Sequence, residues 1–265
     1  MIATLDERAG MKRFFDGFLV MTLAALFAAF AGPSVGAEPQ TWSYTGNTGP
    51  AKWAKLNKEF HLCGAGTMQS PLDIPDKEVR KGDLPALLFN YKPSPLRVVD
   101  DGHMIQLNYA PDSWVTVNGK RYELASIEFH KPAEVKVNGK GHEMEADLVH
   151  KAQDGKILVI AVPLDPGAEN PIVKSVLANL PASKGAEQTV NAVTINALGL
   201  LPKEKDYYMY MGSLTAPPCT ENVTWYVLRK PVTLSADQMA RFARVYPMNA
   251  RPTQPRNDRD IIGTP

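Results

Sequence analysis

The stretch Y122-E-L-A-S-I-E-F-H-K-P-A-E-V-K-V-N-G-K-G-H-E-M-E-A-D-L-V-H-K151 decides how this chain folds. Its first run, "YELASIEFH", and its last, "MEADLVH", are short, rich in apolar residues and bounded by turn signals, which predicts strands. Asn138-Gly139 lies between them, and Asn-Gly supplies the positive φ that a tight hairpin turn needs. An antiparallel pairing follows. Alternate side chains of a strand share a face, so Glu128 and His130 project together, as do Glu145, Asp147 and Val149, with His150 on the other face. Pairing through the hairpin would then bring Glu128, His130 and Asp147 together, one imidazole with two carboxylates. On spacing alone, solvated acids beside a satisfied core histidine are the favoured explanation of the pattern.

Outward from this stretch, similar runs recur between turns: "LLFNY", "LRVVD", "HMIQLNY", "WVTVNG", "KILVIAV", "DYYMYMGSLT" and "VTWYVL". The chain is therefore mainly β, with Asn118-Gly119 as a second hairpin candidate. Helical pattern is confined to "NPIVKSVLANLP" and "SADQMARFARVYP", the second opening on Ser235 as N-cap. Trp42 to Gly66 is expected to be an irregular wrap. With 265 residues, no repeat and no break in composition, the expectation is one domain over 38–265.

Residues 1–37 have the form of a signal peptide: Lys12 and Arg13 precede an apolar run from Phe18 to Phe30, and Val35-Gly36-Ala37 offers small residues for cleavage. Met11 makes a better start than Met1, because Asp6 and Glu7 sit badly in the charged leader region. The run is shorter than the ~20 residues that span a bilayer, so no stable membrane anchor is expected. Export to the periplasm or beyond gives the only two cysteines, Cys63 and Cys219, an oxidising compartment and predicts one disulfide; without it they are two unrelated thiols. The net charge of +1 and the lack of a basic block beyond Lys12-Arg13 speak against nucleic acid as a partner. A small-molecule ligand remains, and any protein partner is unspecified.

Six ordered stretches carry a resemblance: "WSYTGNTGPAKWAKL", "CGAGTMQSPLDI", "DDGHMIQLN", the 122–151 stretch, "YYMYMGSLTAPPCTENVTWYVL" and "NARPTQPRNDR". From Trp42 nearly to its end the chain resembles a secreted bacterial α-class carbonic anhydrase. That resemblance implies one domain around a large, twisted, mostly antiparallel sheet, a Cys63–Cys219 bridge, and carbon dioxide or bicarbonate as ligand. It also implies zinc held by three histidines, two in an F-H-F-H run and one in M-E-x-H-L-V-H. Here those runs read I-E-F-H and M-E-A-D-L-V-H, so the ligand positions hold Glu128, His130 and Asp147. Two of three histidines are replaced.

Other positions keep the family pattern. His103 resembles the proton shuttle, Glu134 and Thr215 the gate pair, and Val149, Val159, Leu214 and Trp225 the wall of the substrate pocket. His150 matches a histidine outside the metal site, and His142 falls at the exposed hairpin. Around the ligands the pattern departs: Glu145, which in the family orients the third histidine, would face Asp147, and Ser126 replaces a glutamine behind the first ligand position. Two close carboxylates must share a proton, be neutralised by a metal, or move apart.

Zinc accepts carboxylate oxygen, but an oxygen-rich set with one imidazole shifts preference toward manganese or iron. Two anionic ligands also cancel the charge that makes a zinc-bound water acidic near pH ~7. Efficient hydration is therefore expected to be lost. Three readings stand: a rebuilt metal centre with weak hydration or another metal-assisted reaction, a catalytically silent and metal-free binding protein, and an ordinary enzyme whose ligands come from elsewhere. The scarcity of histidine, five in all, argues against the last.

Overall fold

The computed structural model describes residues 42–265, so the expected leader over 1–37 lies outside the described residues. The principal strands are β1 (Ser94–Asp100), β2 (Ile105–Asn108), β3 (Trp114–Val117), β4 (Lys120–His130), β5 (Met144–Lys151), β6 (Ile157–Pro166), β7 (Ala186–Ile195), β8 (Tyr207–Ser213) and β9 (Glu221–Leu228). They lie in one sheet in the order β7-β1-β2-β4-β5-β6-β9-β8, with β3 paired to β4. Pairing is antiparallel except between β6 and β9 among these strands, in keeping with the mostly antiparallel expectation.

Both Asn-Gly pairs turn as their chemistry requires. Asn118 and Gly119 have φ of 49° and 75°, Asn138 and Gly139 of 52° and 78°, so both residues of each turn occupy the left-handed region that a two-residue hairpin loop demands. Helices α1 (Pro171–Ala178) and α2 (Ala236–Val245) fall where the helical pattern lay. Asn170 caps α1 through the backbone N–H groups of Ile172 and Val173, and Ser235 with Gln238 completes a capping box on α2.

Alternation along β5 divides the molecule. Met144, Ala146 and Leu148 enter the main core with Ile127, Phe129, Ile160 and the buried faces of α1 and α2. Val149 enters a second core on the other side with Val159, Ala161, Val227 and Trp225. Glu145 and Asp147 share that second face, and every residue of β5 except Lys151 is buried. Two acids are thereby fixed in the interior by the fold itself.

Two elements differ from expectation. Strand β7 carries no clear signal, since its mixed Glu, Gln, Asn and Thr residues sit largely exposed at the sheet edge. The wrap over Trp42–Gly66 contains helical turns at Trp53–Leu56 and Leu62–Ala65, too short to show periodicity. It packs Tyr44 and Trp53 around the Cys63–Cys219 disulfide, whose sulfurs are 2.06 Å apart. No helix among the described residues is long and apolar enough to cross a membrane.

Candidate metal centre

Register builds the site. Asp147 lies directly across from Glu128, and Glu145 across from His130. All four side chains occupy one face as a two-by-two block, because directly opposed residues share a face and so do alternate ones. A bulge follows between Val149 and His150, and His150 enters the other side. There its Nε2 meets the Tyr91 hydroxyl at 2.7 Å, and burial pushes its pKa down to about 3. His150 is a neutral structural residue. His142 is equally remote, bonded to Asp165 at 2.8 Å on the partly exposed hairpin.

His130 is fully buried and oriented from one edge. Its Nδ1 donates to the carbonyl oxygen of Asn249 at 2.9 Å, which leaves Nε2 as the free nitrogen in the neutral ring. Nε2 has no hydrogen-bond partner and stands 3.9 Å from Asp147 Oδ2. Asn249 fixes this arrangement with its own side chain, accepting from Lys131 N and donating to the Phe129 carbonyl. Glu134 approaches the same edge of the ring, its Oε1 3.8 Å from Nδ1. One ligand-capable atom from each of His130, Glu134 and Asp147 lies within 4.8 Å of the others.

Glu128 stands outside that tight trio. It lines the same cleft as Asp147, and its Oε1 accepts from Ser126 Oγ at 3.1 Å. Ser126 thus steadies the carboxylate it sits behind. Four interior polar atoms of the cluster lack partners: His130 Nε2, Glu134 Oε2, Glu145 Oε1 and Asp147 Oδ1. Each such group costs roughly 1–3 kcal/mol if nothing satisfies it. A cation among them fits the donor chemistry, one imidazole nitrogen with carboxylate oxygens, which suits zinc and suits manganese or iron better.

The electrostatics point the same way. Burial, then the neighbouring Glu134, pushes Glu145 up to about 8, and burial followed by Glu145 raises Asp147 well above the usual carboxylate range. Glu128 is raised as well, chiefly by burial. Burial would lower His130, but Glu134, the Asn249 carbonyl and the other acids outweigh it and raise its pKa. The cluster holds more negative charge than its surroundings can solvate.

Above the block opens a cleft of about 340 Å³. Val149, Val159, Leu214 and Trp225 all line it, with Thr215 and His103, so the structure brings the expected pocket residues together. A profile of the eukaryotic-type carbonic anhydrase family matches residues 48–264. The chain belongs to that family. It is 36% identical to a carbonic anhydrase of Nostoc sp. over 243 residues, covering 91% of this chain and 92% of the relative. Among solved structures it is similar to the α-carbonic anhydrase of Thermovibrio ammonificans in complex with sulfanilamide, at TM-score 0.82 and 37% identity, covering 85% of this chain and 100% of that one. It is also similar to dioscorin complexed with ascorbate, at TM-score 0.79 and 31% identity, covering 84% and 98%.

Within this carbonic anhydrase fold, the residues expected to form a gate pair, Glu134 and Thr215, are not joined by a hydrogen bond. Glu134 Oε1 accepts from the Arg251 backbone N–H at 2.6 Å, while its Oε2 is buried with no partner. His103 sits at the cleft mouth, stacked on Trp42 with ring centroids 3.8 Å apart and its Nε2 2.9 Å from the Trp42 carbonyl. Sequence reasoning assigned no role to Asn249, Arg251 or Gln106. Arg251 binds the carbonyls of Cys63 and Ser70 and the Gln69 side chain, tying the wrap to the site. Gln106 lies across from Glu128 on β2, and strand pairing was the one signal that could have found it.

Proposed function

We propose that this carbonic anhydrase family member is an exported protein with a rebuilt cation site, in which Asp147, His130 through Nε2, and Glu128 hold a divalent metal. The observation that carries the reading is the unpartnered Nε2 of His130, fully buried and facing Asp147, with Glu128 opposite Asp147 in the ladder. When bound, the metal would supply Lewis acidity, weakened by two anionic ligands. The chain's own residues do the rest: Asn249 fixes the imidazole tautomer, Ser126 orients Glu128, and Val149, Val159, Leu214 and Trp225 exclude water. Hydration of carbon dioxide is correspondingly weak, because the unjoined Glu134–Thr215 pair leaves the gate hydroxyl unoriented. His103 stands at the cleft mouth, at the position where the family pattern has its proton shuttle. Export is supported by the leader-like residues 1–37 and by the disulfide.

Metal analysis of protein purified without chelator tests the reading. About one divalent ion per chain, lost in Glu128→Gln and Asp147→Asn, is expected. A folded, metal-free protein whose melting temperature ignores zinc, manganese and iron would sink it. The adjacent Glu145 and Asp147 support a second reading, a catalytically silent binding protein, since a shared proton can complete the pair without an ion. Dioscorin, with its ascorbate complex, is a relative that holds a small molecule on this fold.

A further inference from the structure

The polar lining of the cleft is one-sided. Glu128 and Asp147 form its floor, and Asp147 is buried with Oδ1 unpartnered. Gln106 donates its Nε2 to Asn108 at 2.6 Å, so its carbonyl oxygen is left to accept. Asp101 at the rim accepts the His103 and Met104 backbone N–H groups on Oδ1, which leaves Oδ2. Against these acceptors the donors are few: His103 is engaged with the Trp42 carbonyl, the Thr215 hydroxyl is available, and no lysine or arginine lines the cleft. An anion such as bicarbonate needs donors or positive charge, and among the lining residues finds the Thr215 hydroxyl and no cationic side chain. A ligand that donates several hydrogen bonds and carries positive charge is the complement.

We propose that the cleft binds a small primary ammonium, R–NH₃⁺ with a short apolar R group, and disfavours small anions. Three N–H donors suit the carboxylates of Glu128 and Asp147 and the Gln106 carbonyl, and the apolar group rests on Val149, Val159, Leu214 and Trp225. The volume of about 340 Å³ accommodates a chain of several carbons. The proposal rests on the acidic floor described above and does not need the metal. A divalent cation and an ammonium claim the same oxygens, so each excludes the other.

Calorimetric titration of the chelator-treated full chain tests this with n-butylammonium, butyrate and tetramethylammonium. Butylammonium is expected to bind at least about tenfold more tightly than either of the others, and Glu128→Gln to weaken it about tenfold, the range for hydrogen bonds to charged groups. Glu128 is half-buried at the cleft floor, so this variant is expected to fold, with circular dichroism as the check. Equal binding of butyrate would overturn the charge argument, equal binding of tetramethylammonium the donor argument. An affinity unchanged in Glu128→Gln, or no binding of butylammonium, would overturn the site. Metal binding without butylammonium binding leaves the metal reading standing and removes this one; butylammonium binding without metal binding does the reverse.

Discussion

The buried Glu145 predicts an unusual dependence of stability on pH. In the unfolded chain this carboxyl ionises near its ordinary 4.5, whereas in the fold it is pushed up to about 8. Between those values the unfolded state has released a proton that the native state retains, so stability falls as pH rises. At 1.36 kcal/mol per decade the whole interval is worth at most about 5 kcal/mol. His150 acts in the opposite sense, because a histidine held at about 3 in the fold contributes stability that grows until it reaches its unfolded value of 6.5. The window above 6.5 is therefore the clean one. From pH 6.5 to 8 the Glu145–Asp147 pair should remove on the order of 2 kcal/mol, and the raised His130 acts in the same direction. Urea unfolding of metal-free protein across that window measures it. Glu145→Gln should flatten the slope by about the Glu145 share, and saturating zinc or manganese should flatten it by favouring the ionised acids. A stability that rises from pH 6.5 to 8, or a slope unchanged in Glu145→Gln, would refute the reasoning.

Three further outcomes are expected. Glu128→His with Asp147→His should bind about one zinc per chain and raise stopped-flow carbon dioxide hydration at least tenfold over the unaltered protein, since neutral ligands restore the charge that acidifies a bound water; a folded double variant that binds no zinc would place the fault in Glu145 and Ser126. Cys63 and Cys219 are 156 residues apart, so reducing their bridge should lower unfolding stability by about 5 kcal/mol in the chain-entropy treatment, a shift readable as a lower urea midpoint with dithiothreitol. Ser235→Ala should cost about 1 kcal/mol by thermal melt through loss of the α2 cap, without altering metal content.

What was legible in the sequence was local. The alternation of "MEADLVH" with the Asn138-Gly139 turn was enough to place Glu128, His130 and Asp147 on one face, and Ser235 marked the start of α2; the register was not legible, since counting from the turn opposes Asp147 to His130, whereas Asp147 lies opposite Glu128. Strand β7 was hidden because a half-exposed edge strand needs few apolar residues. The orientation of His130 was hidden for a different reason. Its partner Asn249 lies 119 residues away in a C-terminal loop, where no period or motif links the two. Glu134 likewise reads as a gate residue by resemblance, yet the fold also sets it beside the imidazole, a placement that depends on how the loop after β4 closes.

The two acids that stand where the family resemblance expects histidines, Glu128 and Asp147, would act together because they oppose each other in the ladder. Acids in place of neutral ligands on a solvated loop would change little, but β5 is buried on both faces, so Asp147 beside Glu145 must be offset by a cation or an ammonium, or neutralised by a proton. The fold thereby converts a change of ligand type into a change in what the cleft attracts. On the proposed reading, hydration of carbon dioxide would suffer twice, at the weakened Lewis acid and again at the expected gate, where Glu134 already accepts the Arg251 backbone N–H and its second oxygen is unpaired. These losses are physically separate. Returning histidine to positions 128 and 147 repairs only the first, so the recovered hydration should fall short of an ordinary family member until the Glu134–Thr215 bond is also remade.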